Sequence, residues 1–157
     1  MDKTHYESPV GWLEIKGDAR GVTYLNFLDT KPDDTGTVPS SLKRCCQQVD
    51  EYFKGERMEF DLKLILHGTE FQKTVWNELA MIPFGKTVTY QDVARAIHNK
   101  KAMRAVGNAN RKNPIAIIIP CHRVIGSDGN LVGFGGGLWR KKWLLDHERD
   151  IVKKRPV

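Results

Sequence analysis

Apolar and polar residues alternate twice near the start of the chain, in Val10-Gly11-Trp12-Leu13-Glu14-Ile15 and in Val22-Thr23-Tyr24-Leu25-Asn26-Phe27-Leu28, around the turn-forming Gly17-Asp18-Ala19-Arg20-Gly21. A period of two puts one apolar face on a sheet, so the pair predicts a hairpin. A polar loop is expected over residues 29–39. The period then changes. Leu42, Cys45, Cys46, Val49, Tyr52 and Phe53 recur at helical spacing after a cap at Ser40 or Ser41, and Gly55 ends the run. Alternation returns in Met58-Glu59-Phe60-Asp61-Leu62-Lys63-Leu64, which predicts a third strand. Residues 1–66 thus read as a small α+β unit.

From residue 67 onward the pattern is mainly helical, and a boundary is expected between Leu66 and Thr69. Thr69 caps a helix carrying Phe71, Val75, Trp76 and Leu79, which Pro83 and Gly85 stop. Thr89-Tyr90-Gln91-Asp92 has capping-box spacing and opens a short helix with Val93, Ala94 and Ile97 inward. After the turn Asn99-Lys100-Lys101, a second helix over 102–111 places Met103, Val106 and Ala109 or Asn110 on one side. Two short helices about a tight turn form a helix-turn-helix pattern. A last helix over 138–148 spaces Trp139, Trp143 and Leu144 or Leu145 as core residues, and Lys153-Lys154-Arg155 reads as a solvated charge run.

The run Ile115-Ala116-Ile117-Ile118-Ile119 lies between Pro114 and Pro120 and predicts a buried strand or strand-like segment. It delivers Cys121, His122 and Arg123 side by side. A free cysteine is often just a small buried hydrophobe. A thiol beside an imidazole is also a nucleophile candidate, because a nearby cation lowers its pKa. Adjacent strand residues point to opposite faces, so either the backbone leaves strand geometry at Pro120 or a water bridges Cys121 to His122. A base also needs an orienting group. Glu148 is the best candidate, with Asp128 and Asp146 behind it.

Composition narrows the class. No stretch approaches the roughly 20 apolar residues of a membrane span, and Met1-Asp2-Lys3-Thr4-His5 lacks the features of a signal peptide. Three cysteines, two of them adjacent, make no disulfide framework, and no ligand spacing suggests zinc. A reducing, intracellular setting without metal or cofactor is expected. The net charge of +6 divides unevenly: residues 1–65 carry −3 and residues 66–157 carry +9. A basic second half is suited to a polyanion, most plainly nucleic acid.

The second helix of the helix-turn-helix pattern refines that expectation. Ala102, Ala105, Gly107 and Ala109 allow close approach to a backbone, while Lys100, Lys101, Arg104, Arg111 and Lys112 supply phosphate contacts. Long polar readers are scarce, so little sequence preference is expected. The run Gly133-Phe134-Gly135-Gly136-Gly137 lacks a following Gly-Lys-Ser/Thr and is read as a flexible loop bringing an aromatic face and backbone N–H groups over a pocket, not as a phosphate loop.

Taken together, Ile119-Pro120-Cys121-His122-Arg123-Val124-Ile125, Gly136-Gly137-Leu138, Lys142-Trp143-Leu144-Leu145-Asp146-His147-Glu148, Arg104-Ala105-Val106-Gly107-Asn108-Ala109 and Asn113-Pro114 resemble the O6-alkylguanine-DNA alkyltransferases, also called methylated-DNA-protein-cysteine methyltransferases. The likeness covers residues 69–148, and the first unit agrees in outline. It implies an RNase H-like sheet-and-helix domain followed by a winged helix-turn-helix-like catalytic domain. It further implies double-stranded DNA as partner and irreversible, stoichiometric transfer of an alkyl group from O6 of guanine, and by extension O4 of thymine, to Cys121. No obligate protein partner is implied, and the setting is cytoplasmic, or nuclear in a eukaryote.

The resemblance also implies roles. His122 accepts the thiol proton through a water, Glu148 polarises the imidazole, Asn113 fixes the segment before the nucleophile, and Tyr90 serves the leaving guanine. Arg104 replaces the flipped nucleotide, while Met103, Phe134 and the backbone about Val124, Gly135 and Gly136 hold the extruded base. Flipping is required because a stacked base cannot be attacked. Gly135 departs from the serine of many relatives. Two other readings are weighed: a lesion-binding or regulatory DNA-binding protein without chemistry, and a thiol hydrolase built on Cys121, His122 and Glu148.

Overall fold

The structure, a computed structural model, describes residues 1–33 and 36–155; residues 34 and 35, within the loop expected over 29–39, and the last two residues lie outside the described residues. The chain divides into two compact units, Met1–His67 and Gly68–Val157. In the first, β1 (Asp2–Ser8), β2 (Gly11–Asp18) and β3 (Gly21–Phe27) form an antiparallel sheet in the order β1-β2-β3. The β2–β3 hairpin follows the predicted alternation, with a register shift between Lys16 and Gly17. β1 was not expected. Only Thr4 among its residues is buried, so no apolar period marks it, and its ladder from Asp2↔Gly17 to Ser8↔Gly11 defines it.

Helix α1 (Lys43–Phe53) buries Cys45, Val49, Tyr52 and Phe53, joining Leu13, Ile15, Val22 and Leu25 in the core. Each such large side chain contributes about 1.5–3 kcal/mol by burial. Two sequence readings need correction. Neither Ser40 nor Ser41 caps α1, which instead follows a 3-10 turn at Ser40–Leu42; the Ser41 hydroxyl donates to Asp2. The expected third strand over 58–64 is also not a strand. It touches the sheet at one parallel bridge, Val22↔Leu64. The Gln48 amide takes the place of a ladder, donating to Asp61 O at 3.1 Å and accepting from Asp61 N at 2.9 Å. A side-chain amide mimics a peptide, so the segment is satisfied without a neighbour strand.

The second unit begins with α2 (Glu70–Leu79), capped as predicted by a reciprocal Thr69–Gln72 box. It buries Val75, Trp76 and Leu79. β4 (Val88–Thr89) leads into α3 (Tyr90–Ala96) through the predicted Thr89–Asp92 box. The α4 helix (Met103–Arg111) follows, and Trp76 Nε1 donates to Ala109 O at 2.8 Å, locking α2 against it. α3 and α4 form the expected helix-turn-helix pair. β5 (Val124–Ile125) pairs in parallel with β4, and α5 (Leu138–Lys154) closes the unit. α5 runs past the predicted end at residue 148. Its tryptophans are not core: Trp139 is 57% exposed and Trp143 half-buried, with the Arg140 guanidinium 4.7 Å from the Trp139 ring.

Candidate active site

Residues 113–123 are buried, as the apolar run predicts, apart from the half-buried Pro114. The strand expected over 115–119 is absent, however. Ile118 N donates to Ala116 O, Ile119 N to Ile115 O, and Cys121 N to Ile119 O, so the segment coils on itself. Asn113 laces it: its Oδ1 accepts from Ile115 N at 3.0 Å and its Nδ2 donates to Ile119 O at 2.7 Å. Ile117 is forced to φ +72°, a left-handed conformation that a β-branched residue rarely adopts. The chain has thus left strand geometry, and Cys121–Arg123 continues as a 3-10 turn.

That turn presents two buried polar side chains, His122 and Arg123, to Glu148 of α5. His122 Nε2 lies 2.6 Å from Glu148 Oε2. Arg123 adds a two-point grip, Nε to Oε1 at 2.8 Å and Nη2 to Oε2 at 3.0 Å, and sends Nη1 to Ile82 O at 2.7 Å. Gly85 N donates to Glu148 Oε1 at 3.1 Å. Glycine is needed at 85 for its φ of +77° and because an added Cβ would meet Val152 Cγ2 at 2.6 Å. Asp128 and Asp146, the other acidic candidates, serve elsewhere: Asp128 bonds Asn130, and Asp146 pairs with Lys142 and Arg149.

The electrostatics follow from burial and these partners. Desolvation pushes the Glu148 carboxyl upward, but His122 and Arg123 together outweigh it and hold the group well below the usual carboxylate range. Desolvation, together with Arg123 and Lys141, lowers His122 against the pull of Glu148, which favours the neutral imidazole. A carboxylate only accepts, so Nε2 carries the proton and Nδ1 keeps its lone pair. Nδ1 is buried and has no hydrogen-bond partner among the described residues. Burial pushes the Cys121 thiol up to about 11, against the opposing influence of the Asn113 side chain and Lys141.

Lys141 is a candidate site residue that the sequence reading missed. It is fully buried on α5, and desolvation brings its pKa down to about 8, while Cys121 acts to raise it. Its Nζ donates to Val132 O at 2.9 Å and lies 5.9 Å from the centre of the Tyr90 ring. The Tyr90 hydroxyl donates to the same carbonyl at 3.0 Å. Desolvation is the main cause of a raised Tyr90 pKa, and Cys121 adds to it. Tyr90, Lys141 and Cys121 therefore share one neighbourhood. The available signal was a lysine at a core position of α5, three before Leu144.

Beside this group a cleft of about 430 Å³ is lined by Tyr90, Met103, Arg104, Gly107, Arg111, Ser127, Val132 and Gly133, among others. Met103, Tyr90 and Arg104 thus meet as expected. Phe134, Gly135, Gly136 and Val124 do not line it: Val124 is fully buried in β5, and Phe134 is half-buried. Lys100, Lys101, Arg104, Ala105 and Arg111 are exposed, Gly107 partly so. Ala102 and Ala109 are buried, which leaves Ala105 and Gly107 as the small residues of the outer face. A Cβ on Gly135 would lie 3.5 Å from Arg111 O, an ordinary contact, so no steric demand excludes serine there. Among the described residues, no three His, Cys, Asp or Glu side chains group as metal ligands, and no helix is long and apolar enough to cross a membrane.

Residues 1–66 match the ribonuclease-like domain of 6-O-methylguanine DNA methyltransferase, and residues 70–150 match its DNA-binding domain. The chain belongs to this family. A methylated-DNA–protein-cysteine methyltransferase of Methanosarcina acetivorans is 48% identical over 148 residues, 91% of this chain and 95% of that protein. One from Mycobacterium leprae is 46% identical over 150 residues, 93% and 91% of the two chains. The structure of Mycobacterium tuberculosis OGT in complex with DNA superposes with a TM-score of 0.87 at 43% identity, covering 95% of this chain and 93% of that one. Within the methyltransferase family, this chain therefore has both domains. Its fold class is the α+β arrangement that the sequence predicts, a ribonuclease-like unit followed by a DNA-binding unit.

Proposed function

We propose that this protein repairs double-stranded DNA by moving an alkyl group from O6 of guanine onto Cys121, once per molecule. The observation that carries this reading is the buried Cys121, next in the chain to a buried His122 whose Nδ1 has no hydrogen-bond partner among the described residues and whose Nε2 is tied to Glu148. Such a thiol is almost fully protonated at neutral pH, with roughly one in ten thousand ionised at a pKa of about 11. A base is therefore required. His122 Nδ1 takes the thiol proton through a water, Sγ forms a bond to the alkyl carbon, and the carbon–O6 bond breaks with its electron pair left on guanine. Tyr90 gives its hydroxyl proton to the departing base, and Lys141, whose Nζ shares the Val132 carbonyl with that hydroxyl, returns a proton to it. The S–C thioether is stable, so the protein is consumed instead of regenerated.

Delivery of the base falls to α4. Arg104 enters the duplex in place of the flipped guanine, Ala105 and Gly107 let the helix approach closely, and Lys100, Lys101 and Arg111 contact phosphates. Met103 and Tyr90 line the cleft that receives the base, and the loop carrying Phe134, Gly135 and Gly136 adds its contacts once the base is seated, with Val124 fixed beneath in β5. Asn113 aims the nucleophile through its two backbone bonds. Few residues here read base edges, so binding depends on salt and little on flanking sequence. No protein partner is needed for these steps.

Incubation with duplex DNA carrying O6-methylguanine tests the reading. The expected outcome is one added methyl group per protein on the Cys121 peptide, measured by mass; an unmodified peptide after complete binding would reject it. Arg104→Ala should slow transfer from duplex DNA far more than transfer from free O6-benzylguanine. Equal losses would move Arg104 from base extrusion to the pocket or to folding.

A further inference from the structure

Arg123 takes no part in the steps above, yet it spends a buried guanidinium on this site. Its fork meets both oxygens of Glu148, at 2.8 and 3.0 Å, its third nitrogen is fixed by Ile82 O at 2.7 Å, and its guanidinium carbon lies 5.6 Å from the Phe84 ring centre. A bidentate grip with a further anchor fixes the plane of a carboxylate as a lysine cannot. Glu148 in turn holds the His122 ring by a single bond from Nε2. Free to rotate, an unclamped carboxylate would turn from Nε2 and no longer hold the proton on that nitrogen. Unopposed in charge, it would draw a proton onto His122 and leave an imidazolium that cannot accept another.

Resting on the reading of His122 as the base for Cys121, we propose that Arg123 is a positioning residue of the transfer reaction: by fixing and neutralising Glu148 it keeps His122 uncharged, with its proton on Nε2 and its lone pair on Nδ1. The charged groups acting on His122 are Glu148 and Lys141 from α5 and Arg123 from its own turn. Glu148 favours the imidazolium, whereas Arg123 and Lys141 oppose it. Arg123 also bonds both oxygens of the carboxylate directly.

The test compares wild type with Arg123→Met and Arg123→Lys, using free O6-benzylguanine so that DNA binding plays no part. Two quantities are read on folded protein: the pH dependence of the single-turnover rate, and the ¹⁵N signals of His122, which distinguish its tautomers and its cation. In Arg123→Met, the acidic limb of the rate profile should move to higher pH by at least about one unit, equivalent to a tenfold change in proton affinity. In Arg123→Lys the charge stays but the fork is lost, so a population protonated on Nδ1 should appear, with a loss of rate. If Arg123→Met fails to fold, Arg123→Lys decides alone. An unshifted profile with unchanged ¹⁵N signals, accompanied only by a lower unfolding midpoint, would overturn the proposal and leave Arg123 a stabilising ion pair. Wild type failing to react with O6-benzylguanine at all would instead reject the reading of Cys121.

Discussion

Burial alone does not distinguish the thiols of the two units. In the first unit, desolvation pushes Cys45 up to about 12, with Cys46 adding to it, and Cys46 up to about 11; in the second it pushes Cys121 up to about 11. The difference lies in the neighbours. No lowering influence acts on Cys45 or Cys46, which fill the apolar side of α1. Cys121 has Asn113 and Lys141 acting to stabilise its thiolate, and a neutral imidazole next to it in the chain. The same contrast extends to all buried polar groups. Among the described residues, the first unit buries Thr4 and Gln48, whereas the second buries Asn110, Asn113, His122, Arg123, Arg140, Lys141 and Glu148. Buried charge is rarely kept for stability, since apolar replacements of similar volume often do as well or better. The second unit's interior is therefore shaped by chemistry, the first unit's by packing.

The largest test of this comparison is covalent. Cys121→Ala should lose methyl acceptance completely, while Cys45→Ala and Cys46→Ala should each still gain one methyl group by mass. Acceptance at Cys45 or Cys46 would break the contrast.

Stability gives the next largest effect. Glu148→Ala leaves the Arg123 guanidinium buried without its partner and should cost about 3–5 kcal/mol. Gln48→Ala orphans only the backbone N–H and C=O of Asp61 and should cost about 1–3 kcal/mol. Denaturant unfolding of both variants measures the gap, and equal costs would mean that the second unit's charges are no more demanding than a peptide mimic.

A smaller effect should appear in pH. Lys141 has a folded pKa of about 8 against an ordinary 10.5, so between these values the unfolded chain binds more protons and stability rises with pH. The burden of burying charged Lys141 is fully present below about 8 and fades toward 10.5. Lys141→Met should thus gain most over wild type at neutral pH, with the advantage shrinking across that window. A constant offset would place Lys141 in a wetter setting than its burial indicates.

Features with a local cause were legible in the sequence. The two Thr capping boxes, the β2–β3 hairpin and the inner faces of α1 and α2 follow from spacings of a few residues. So does the Cys-His-Arg run, and Glu148 was found because a base needs an orienting acid. What was hidden depends on contacts distant in sequence. β1 carries a polar pattern and is defined by its partner β2; the segment over 58–64 alternates like a strand, yet Gln48 satisfies its backbone. The apolar run over 115–119 was correctly buried and wrongly extended, because periodicity cannot foresee that Asn113 will bond two of its peptides. Lys141 and the Arg123 fork emerge only when α5 folds back over the 3-10 turn.

The left-handed Ile117 bears on how this chain can change over generations. Holding a β-branched residue there costs roughly 1–2 kcal/mol, and Asn113 is what keeps the coil closed around it. Positions 113 and 117 are therefore not independent. With Asn113 in place, Ile117→Gly relieves the backbone and leaves the thiol aimed; with Asn113 gone, the same replacement frees the segment altogether. Sites coupled through one small coil in this way depart from additivity, so the order in which substitutions arrive decides which descendants of this sequence keep a correctly directed Cys121.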